Sequence, residues 1–409
     1  MRIEGSLRGL YRRCRSWSHE RRFESVMATC AALIRCRRAN ITALGRALAT
    51  TAHPKHAIKR VDRLIGNPRL LREQRYWYRE IARRLIGSAQ RVVLAIDWTE
   101  VGSGLSSLAV TTTGPGRGVT LYQETHSHVR GGERFFHDFL TKLADVLPDK
   151  CQAILVADAG FRKPFMQACH SLGFDYVLRV RAPATIGYRS ERVRYYDVIR
   201  GAKSQPCCLG DDALYDSNCS GVHTRLVLGP KPRRRLVSGD GTYQRRAQEP
   251  WLLATTIPDL PASEIVRIYA LRMHVEETFR DAKSPRLGLG ASYYSTRSCL
   301  RANNLLLVVA LAQLFIVLTG LAGEKRCLAR RFQANTIRSR RVLSVFRLGL
   351  ELLSGLRPRP PISAAPRAVV ATVPQPWTKF HRQYRAVPPH DLYCPDCGDH
   401  FAEYGWPSL

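Results

Sequence analysis

Residues 91–125, RVVLAIDWTEVGSGLSSLAVTTTGPGRGVTLYQET, decide the fold. RVVLAID is a short apolar, β-branched run that finishes on Asp97, the pattern of a buried strand. SSLAVTTT and RGVTLYQET are two more strand-like runs, and Gly114 to Gly118 between them reads as a hairpin connection. Further along, FFHDFLTKLADVL has a helical pattern and CQAILVADAG is a strand closing on Asp158. Lys163 to Leu172 follows as a helix and FDYVLRVRA as a strand. Strand, strand, strand, helix, strand, helix, strand is an α/β order.

An aspartate leaving a buried strand can simply start a turn or cap a helix. A third carboxylate changes that balance. Residues 268–290 read IYALRMHVEETFRDAKSPRLGLG, with Tyr269, Arg272, Glu276 and Lys283 at increments of three, four and seven. On one continuous α-helix those side chains fall within an arc of about 60°. Leu271, Val275, Phe279 and Ala282 form an apolar stripe beside the arc, and Glu277 turns away with Asp281 and His274 onto a polar face. The plain alternative is a surface helix laced with ion pairs. If Asp97, Asp158 and Glu276 converge, their mutual repulsion demands neutralisation. Mg²⁺ takes carboxylate and phosphate oxygens, and two such ions can clamp a phosphodiester displacement.

With these residues in view, the chain resembles the DDE transposases of bacterial insertion sequences. Asp97, Asp158 and Glu276 look like the triad, and Tyr269-x2-Arg272-x3-Glu276-x6-Lys283 matches the YREK signature of the insertion-sequence-four family. The likeness extends over TALGRALA, KHAIKRVDRLIGN, VADAGF and FQANTIRSRRVLSVFRLGLELL, and is nearest to the tetracycline-resistance transposon group. The strand order is that of an RNase H-like core, in which the first and fourth strands are neighbours and Asp97 would meet Asp158.

The resemblance implies a cut-and-paste DNA transposase. Asp97, Asp158 and Glu276 would hold two Mg²⁺ ions, with Mn²⁺ able to substitute. Tyr269, Arg272 and Lys283 would fix the phosphates near the cleaved end, with Arg162 among the DNA contacts. Trp251 resembles a tryptophan that receives a flipped end nucleotide while the DNA end folds into a hairpin; a core tryptophan is the other reading. The partners implied are the terminal inverted repeats, target DNA and a second subunit in the synaptic complex. A nuclease of the same fold and an inactive end-binding relative are the competing functions.

Composition agrees. Lys plus Arg number 64 against 33 acidic residues, a formal net charge of +31. So large an excess calls for a polyanionic partner, although charge alone gives no chemistry. Clusters lie at Arg12, at Arg233 to Arg235 and at Arg338 to Arg341. Twelve scattered cysteines and no visible secretory signal suit reduced thiols in a cytoplasmic protein, and the resemblance implies a bacterial, nucleoid-associated one. NLLLVVALAQLFIVLTGLAG, from Asn304 to Gly323, is long and apolar enough for a membrane span. It contains Gln313 and follows the Glu276 segment directly, which favours a buried helix and no membrane.

Five regions follow. Residues 1–89 read as a helical DNA-binding region, with ESVMATCAALIRCRRA as one helix and Thr42 as N-cap of another. HAIKRVDRLIG there presents Lys59, Arg60 and Arg63 to DNA. Residues 90–181 are the first part of the core, 182–250 a β-rich insertion, and 251–325 the second part with the Glu276 helix. Residues 326–409 begin with a helical RRFQANTIRSRRVLSVFRLGLELLSGL and continue as a Pro-rich tail. Within that tail Cys394-Pro-Asp-Cys397, flanked by His390 and His400, resembles half of a zinc knuckle. Ten residues is a tight span for four ligands, and a pair of reduced cysteines is the preferred reading.

Overall fold

The computed structural model describes residues 3–102, 104–114, 117–188, 191–215, 221–232, 249–337 and 342–354. The basic clusters at 233–235 and 338–341, and the His390, Cys394, Cys397 and His400 group, lie outside the described residues. The fold is mixed α/β, and the chain divides into two compact units.

The described residues of the first unit fall within 3–130, 142–151 and 273–354. Its N-terminal helices are α1 (Ile3–Leu10), α2 (Glu20–Cys36), α3 (Ile41–Arg46), α4 (Pro54–Ile65) and α5 (Pro68–Ile86). The cap of α3 is Asn40, whose side chain accepts from the Ala43 N–H at 2.8 Å, and not Thr42, which lies inside the helix. Asn accepts from N2 or N3 better than Thr does, so the preceding residue takes the role. Strands β1 (Arg91–Glu100), β2 (Ser106–Thr112) and β3 (Thr120–His126) pair antiparallel in sequence order, the hairpin expected from the sequence. β1 does not stop at Asp97. It continues to Glu100 because Trp98, Thr99 and Glu100 have ladder partners in Leu108, Ser107 and Ser106.

Helix α10 (Met273–Lys283) packs on β1 and β2. It is followed by α11 (Cys299–Lys325), which contains the long apolar run, and by α12 (Val345–Ser354). The most apolar stretch of α11 is wholly buried within the protein, against α2, α4, α5, α12 and β3. Its polar groups are satisfied there. Asn304 donates to the Ile65 and Asn67 carbonyls at 2.9 and 3.0 Å, and Gln313 donates to the Thr278 carbonyl at 3.0 Å. Glycines set the close crossing with α12: a Cβ on Gly320 would lie 1.9 Å from the Val345 carbonyl oxygen, and one on Gly349 2.0 Å from that of Ile316. The expected long helix over 330–356 is therefore shorter. Residues 333–337 are non-helical, and α12 begins where the chain meets α11.

The described residues of the second unit fall within Gly131–Thr141 and Gln152–Arg272. β4 (Gln152–Ala157) and β5 (Asp175–Val180) are parallel, joined through α7 (Lys163–Leu172), a βαβ crossover. β10 (Leu252–Thr255) lies antiparallel between β5 and β9 (Val222–Leu228). The ladder then continues through β8 (Cys207–Tyr215), β6 (Thr185–Tyr188) and β7 (Glu191–Arg194). α8 (Tyr195–Arg200) separates β7 from β8, and α9 (Ala262–Ala270) closes the unit's last stretch. α6 (Glu133–Val146) runs through the division between the units.

Candidate active site

The first unit carries Asp97, Glu276 and Lys283. Asp97 is half-buried on β1 opposite Ala109, and the Trp98 N–H donates to its Oδ1 at 2.8 Å. Glu276 is exposed on α10, the helix that packs on β1 and β2. Lys283, at the end of the same helix, lines a cleft of about 210 Å³ with Thr99, Glu100, Phe279 and Ser292. Burial lowers the Lys283 ammonium while Glu100 pulls it back up. Its Nζ lies 5.9 Å from the centroid of the Phe279 ring. A cation with few waters and an apolar wall is suited to a single phosphate oxygen.

The expected polar face of α10 is different from a solvated one. Asp281 is 6% exposed, and Arg117 reaches both it and Glu277. Burial pushes the Asp281 carboxyl up to about 7, against the pull of Arg117. Thr278 is buried as well, so the held side of the helix is Thr278 and Asp281 with Val275, while Phe279 and Ala282 are only half-buried. The connection between β2 and β3 occupies the face that periodicity assigned to water.

The second unit carries Asp158, Tyr269, Arg272, Arg162 and Trp251. Asp158 follows β4 directly, and its Oδ1 accepts from the Gly160 N–H at 2.8 Å. Tyr269 is 4% exposed near the end of α9. Burial pushes its phenol up; Arg272, Arg179 and Arg181 pull it down, and Asp158 adds to the rise. One tyrosine therefore feels an aspartate and three cations that come from separate stretches of the chain. Trp251 stands edge-on to Tyr269, with ring centroids 4.8 Å apart at 71°. Arg162 is exposed at the position before α7.

The single helix assumed for Tyr269 through Lys283 is two. α9 ends at Ala270, Leu271 and Arg272 make a turn in which the Arg272 N–H donates to the Tyr269 carbonyl at 3.0 Å, and α10 starts at Met273. Tyr269 thus lies on α9 and Arg272 in the turn, whereas Glu276 and Lys283 lie on α10, and the continuous helix that would give a common arc does not exist. Leu271 correspondingly drops out of the apolar stripe. Neither Gly nor Pro marks the break, so local propensity gave no sign of it.

Arg179 and Arg181 escaped the reading of the sequence. Arg179 sits on β5 opposite Leu253, and its Nε and Nη2 are buried without a hydrogen-bond partner among the described residues. Burial lowers its guanidinium. The signal was present in LRVR, where two arginines alternate with an apolar residue and so share one face of a strand.

The family model for a transposase DDE domain matches residues 88–313, more than half of the 409-residue chain. The chain belongs to the DDE transposases. No curated protein matches it. As a transposase it acts on DNA, and its chemistry is strand cleavage and transfer. The family generally uses divalent metal ions. Among the described residues, no group of three or more His, Cys, Asp and Glu side chains is gathered to hold one. The donor type nevertheless fits a hard cation, since Asp97 and Glu276 are both carboxylates on elements packed on each other. The N-terminal candidates Lys59, Arg60 and Arg63 are all exposed on α4. Lys59 is paired with Asp62 at 3.0 Å, and Arg60 donates to Ser25 at 3.4 Å.

Proposed function

We propose that this transposase moves its element by cut-and-paste transposition, with Asp97, Asp158 and Glu276 as the catalytic carboxylates. The observation that carries the reading is the charge environment of Tyr269, which feels Asp158, Arg272, Arg179 and Arg181 together. Arg181 is already paired with Glu249 at 3.8 Å, but three guanidinium groups against two carboxylates leave an excess of positive charge that suits a place where phosphates enter. The insertion-sequence-four assignment rests on the YREK spacing, and the RNase H-like core on the element order.

In this mechanism Asp97, Asp158 and Glu276 would hold two Mg²⁺ ions, and the ions would supply charge stabilisation to the phosphodiester exchange. Tyr269, Arg272 and Lys283 orient the phosphates at the cleaved end. Lys283 does so from its half-buried cleft, where its charge is little screened. Exchange of one phosphodiester for another conserves bond energy, so no nucleotide cofactor is required. Trp251 offers its ring to a flipped end nucleotide, and base–aromatic stacking contributes roughly 1–3 kcal/mol. Lys59, Arg60, Arg63 and Arg162 contact DNA, and two subunits each act on one end.

The test uses the inverted repeats found by sequencing DNA that flanks the gene. Donor DNA carrying those ends, target plasmid and Mg²⁺ should give nicked, hairpin and joined products. Cleavage without joining would favour a nuclease, and end binding without cleavage an inactive relative.

A further inference from the structure

Four neighbouring contacts hold one side of α10. Arg117, in the connection between β2 and β3, forms ion pairs with Glu277 and, at 3.0 Å, with Asp281, one helical turn apart. The side chains of Arg117 and Asp281 are 16% and 8% exposed, so this pairing is largely out of water. Next to it, Gly118 leaves no room for a side chain. A Cβ there would stand 2.5 Å from Thr278 Oγ1 and 2.4 Å from the Thr112 carbonyl oxygen. From α11, Gln313 donates to the Thr278 carbonyl at 3.0 Å. The held positions are thus 277, 278 and 281, and the exposed Glu276 is adjacent to them in sequence.

The pairing is costly to maintain without a purpose. Glu277 and Asp281 are like charges at i, i+4, which repel on a bare helix. A buried charge is strongly disfavoured unless paired. One guanidinium answers both carboxylates, and it can do so only at one height and one rotation of α10 relative to the strands. Fixing that rotation fixes the direction in which Glu276 presents its carboxylate.

We propose that Arg117 is a positioning residue for the transposition chemistry: through Glu277 and Asp281 it sets the rotation of α10 and so the placement of Glu276. The inference rests on the proposed role of Glu276 as a metal-holding carboxylate. Displacement of a catalytic group by about 1 Å can cost about 100-fold in rate.

The experiment measures single-turnover nicking of end-bearing DNA by the full-length protein across a series of Mg²⁺ concentrations, beside end-binding affinity and a melting curve. Arg117→Ala should slow nicking roughly 10- to 100-fold and raise the half-saturating Mg²⁺ concentration with end binding close to wild type, while the melting temperature falls because Asp281 loses its partner. Arg117→Lys keeps the charge but loses the fork, and should recover part of both values. Wild-type rate and Mg²⁺ requirement in Arg117→Ala overturn the role. So does a parallel fall in nicking, binding and melting temperature at unchanged Mg²⁺ requirement, which would make Arg117 a stability residue. If Arg117→Ala does not fold, wild-type values in Arg117→Lys overturn it. Asp97→Ala runs alongside. Nicking that survives Asp97→Ala refutes the carboxylate reading and this inference with it, whereas nicking lost there but untouched in Arg117→Ala refutes only the role of Arg117.

Discussion

At the scale of single residues, the carboxylates make the sharpest expectations. Replacing Asp97, Asp158 or Glu276 with Ala should reduce cleavage by at least about a thousand-fold, the equivalent of several kcal/mol of transition-state stabilisation. End binding should stay close to wild type, because cation–phosphate contacts supply most of it. Glu277→Gln should be far milder, since Gln still accepts from Arg117 and the side chain belongs to the held side of α10. Nicking and gel-shift assays on the four variants check this, and loss of catalysis in Glu277→Gln alone would reverse the assignment. Trp251 stands edge-on to Tyr269, a contact of about 1 kcal/mol. Trp251→Ala should leave the first nick largely intact and selectively lower hairpin yield. A uniform fall in both products with a drop of roughly 3–5 kcal/mol in stability would make it a core residue only.

At the scale of elements, two contacts predict stability. Arg301 near the start of α11 donates to Asp62 of α4 at 2.6 Å, and the Arg301 and Lys59 contacts hold the Asp62 carboxyl below its ordinary value. The folded value lies below the unfolded one of about 3.9. The stabilisation is therefore fully present above that pH and is lost as the pH falls through the depressed folded value. Asp62→Asn should cost about 1 kcal/mol at neutral pH, and the gap in melting temperature from wild type should narrow as the pH falls through the depressed carboxyl value. Gly320→Ala drives a methyl into the Val345 carbonyl, so it should destabilise by roughly 1–3 kcal/mol in a melting curve. Elements were also where the sequence was most and least legible. Lys163 to Leu172 forms α7 with the expected ends, and β2 and β3 pair as expected, because strong periodicity and Gly-rich turns act locally. The break at Leu271 and Arg272, the extension of β1 to Glu100 and the burial of Asp281 were not legible. The last two depend on a partner distant in sequence, β2 for β1 and Arg117 for Asp281, and the break carries no Gly or Pro to announce it. The candidate site was legible as residue types at spacings, and its arrangement on two separate helices was not.

At the scale of the whole molecule, a net charge of +31 should make end binding strongly salt-dependent, with log K falling linearly against log salt. Arg63→Ala should reduce that slope by about one. Lys59→Ala should reduce it less, because Asp62 already holds that ammonium. Sizing of the protein–end complex should give two subunits per pair of ends, and a single subunit would remove the dimer from the mechanism. The buried α11 has a further meaning in the order of synthesis. Its partners α2, α4, α5 and β3 all leave the ribosome well before it does. The long apolar helix is thus inserted among neighbours most of which are already made, with α12 still to close over it, and spends little time bare. The debt falls on those neighbours instead: a fragment ending before residue 299 would leave their inward faces without a lining, and should aggregate rather than act as a separable competitor for the transposon ends.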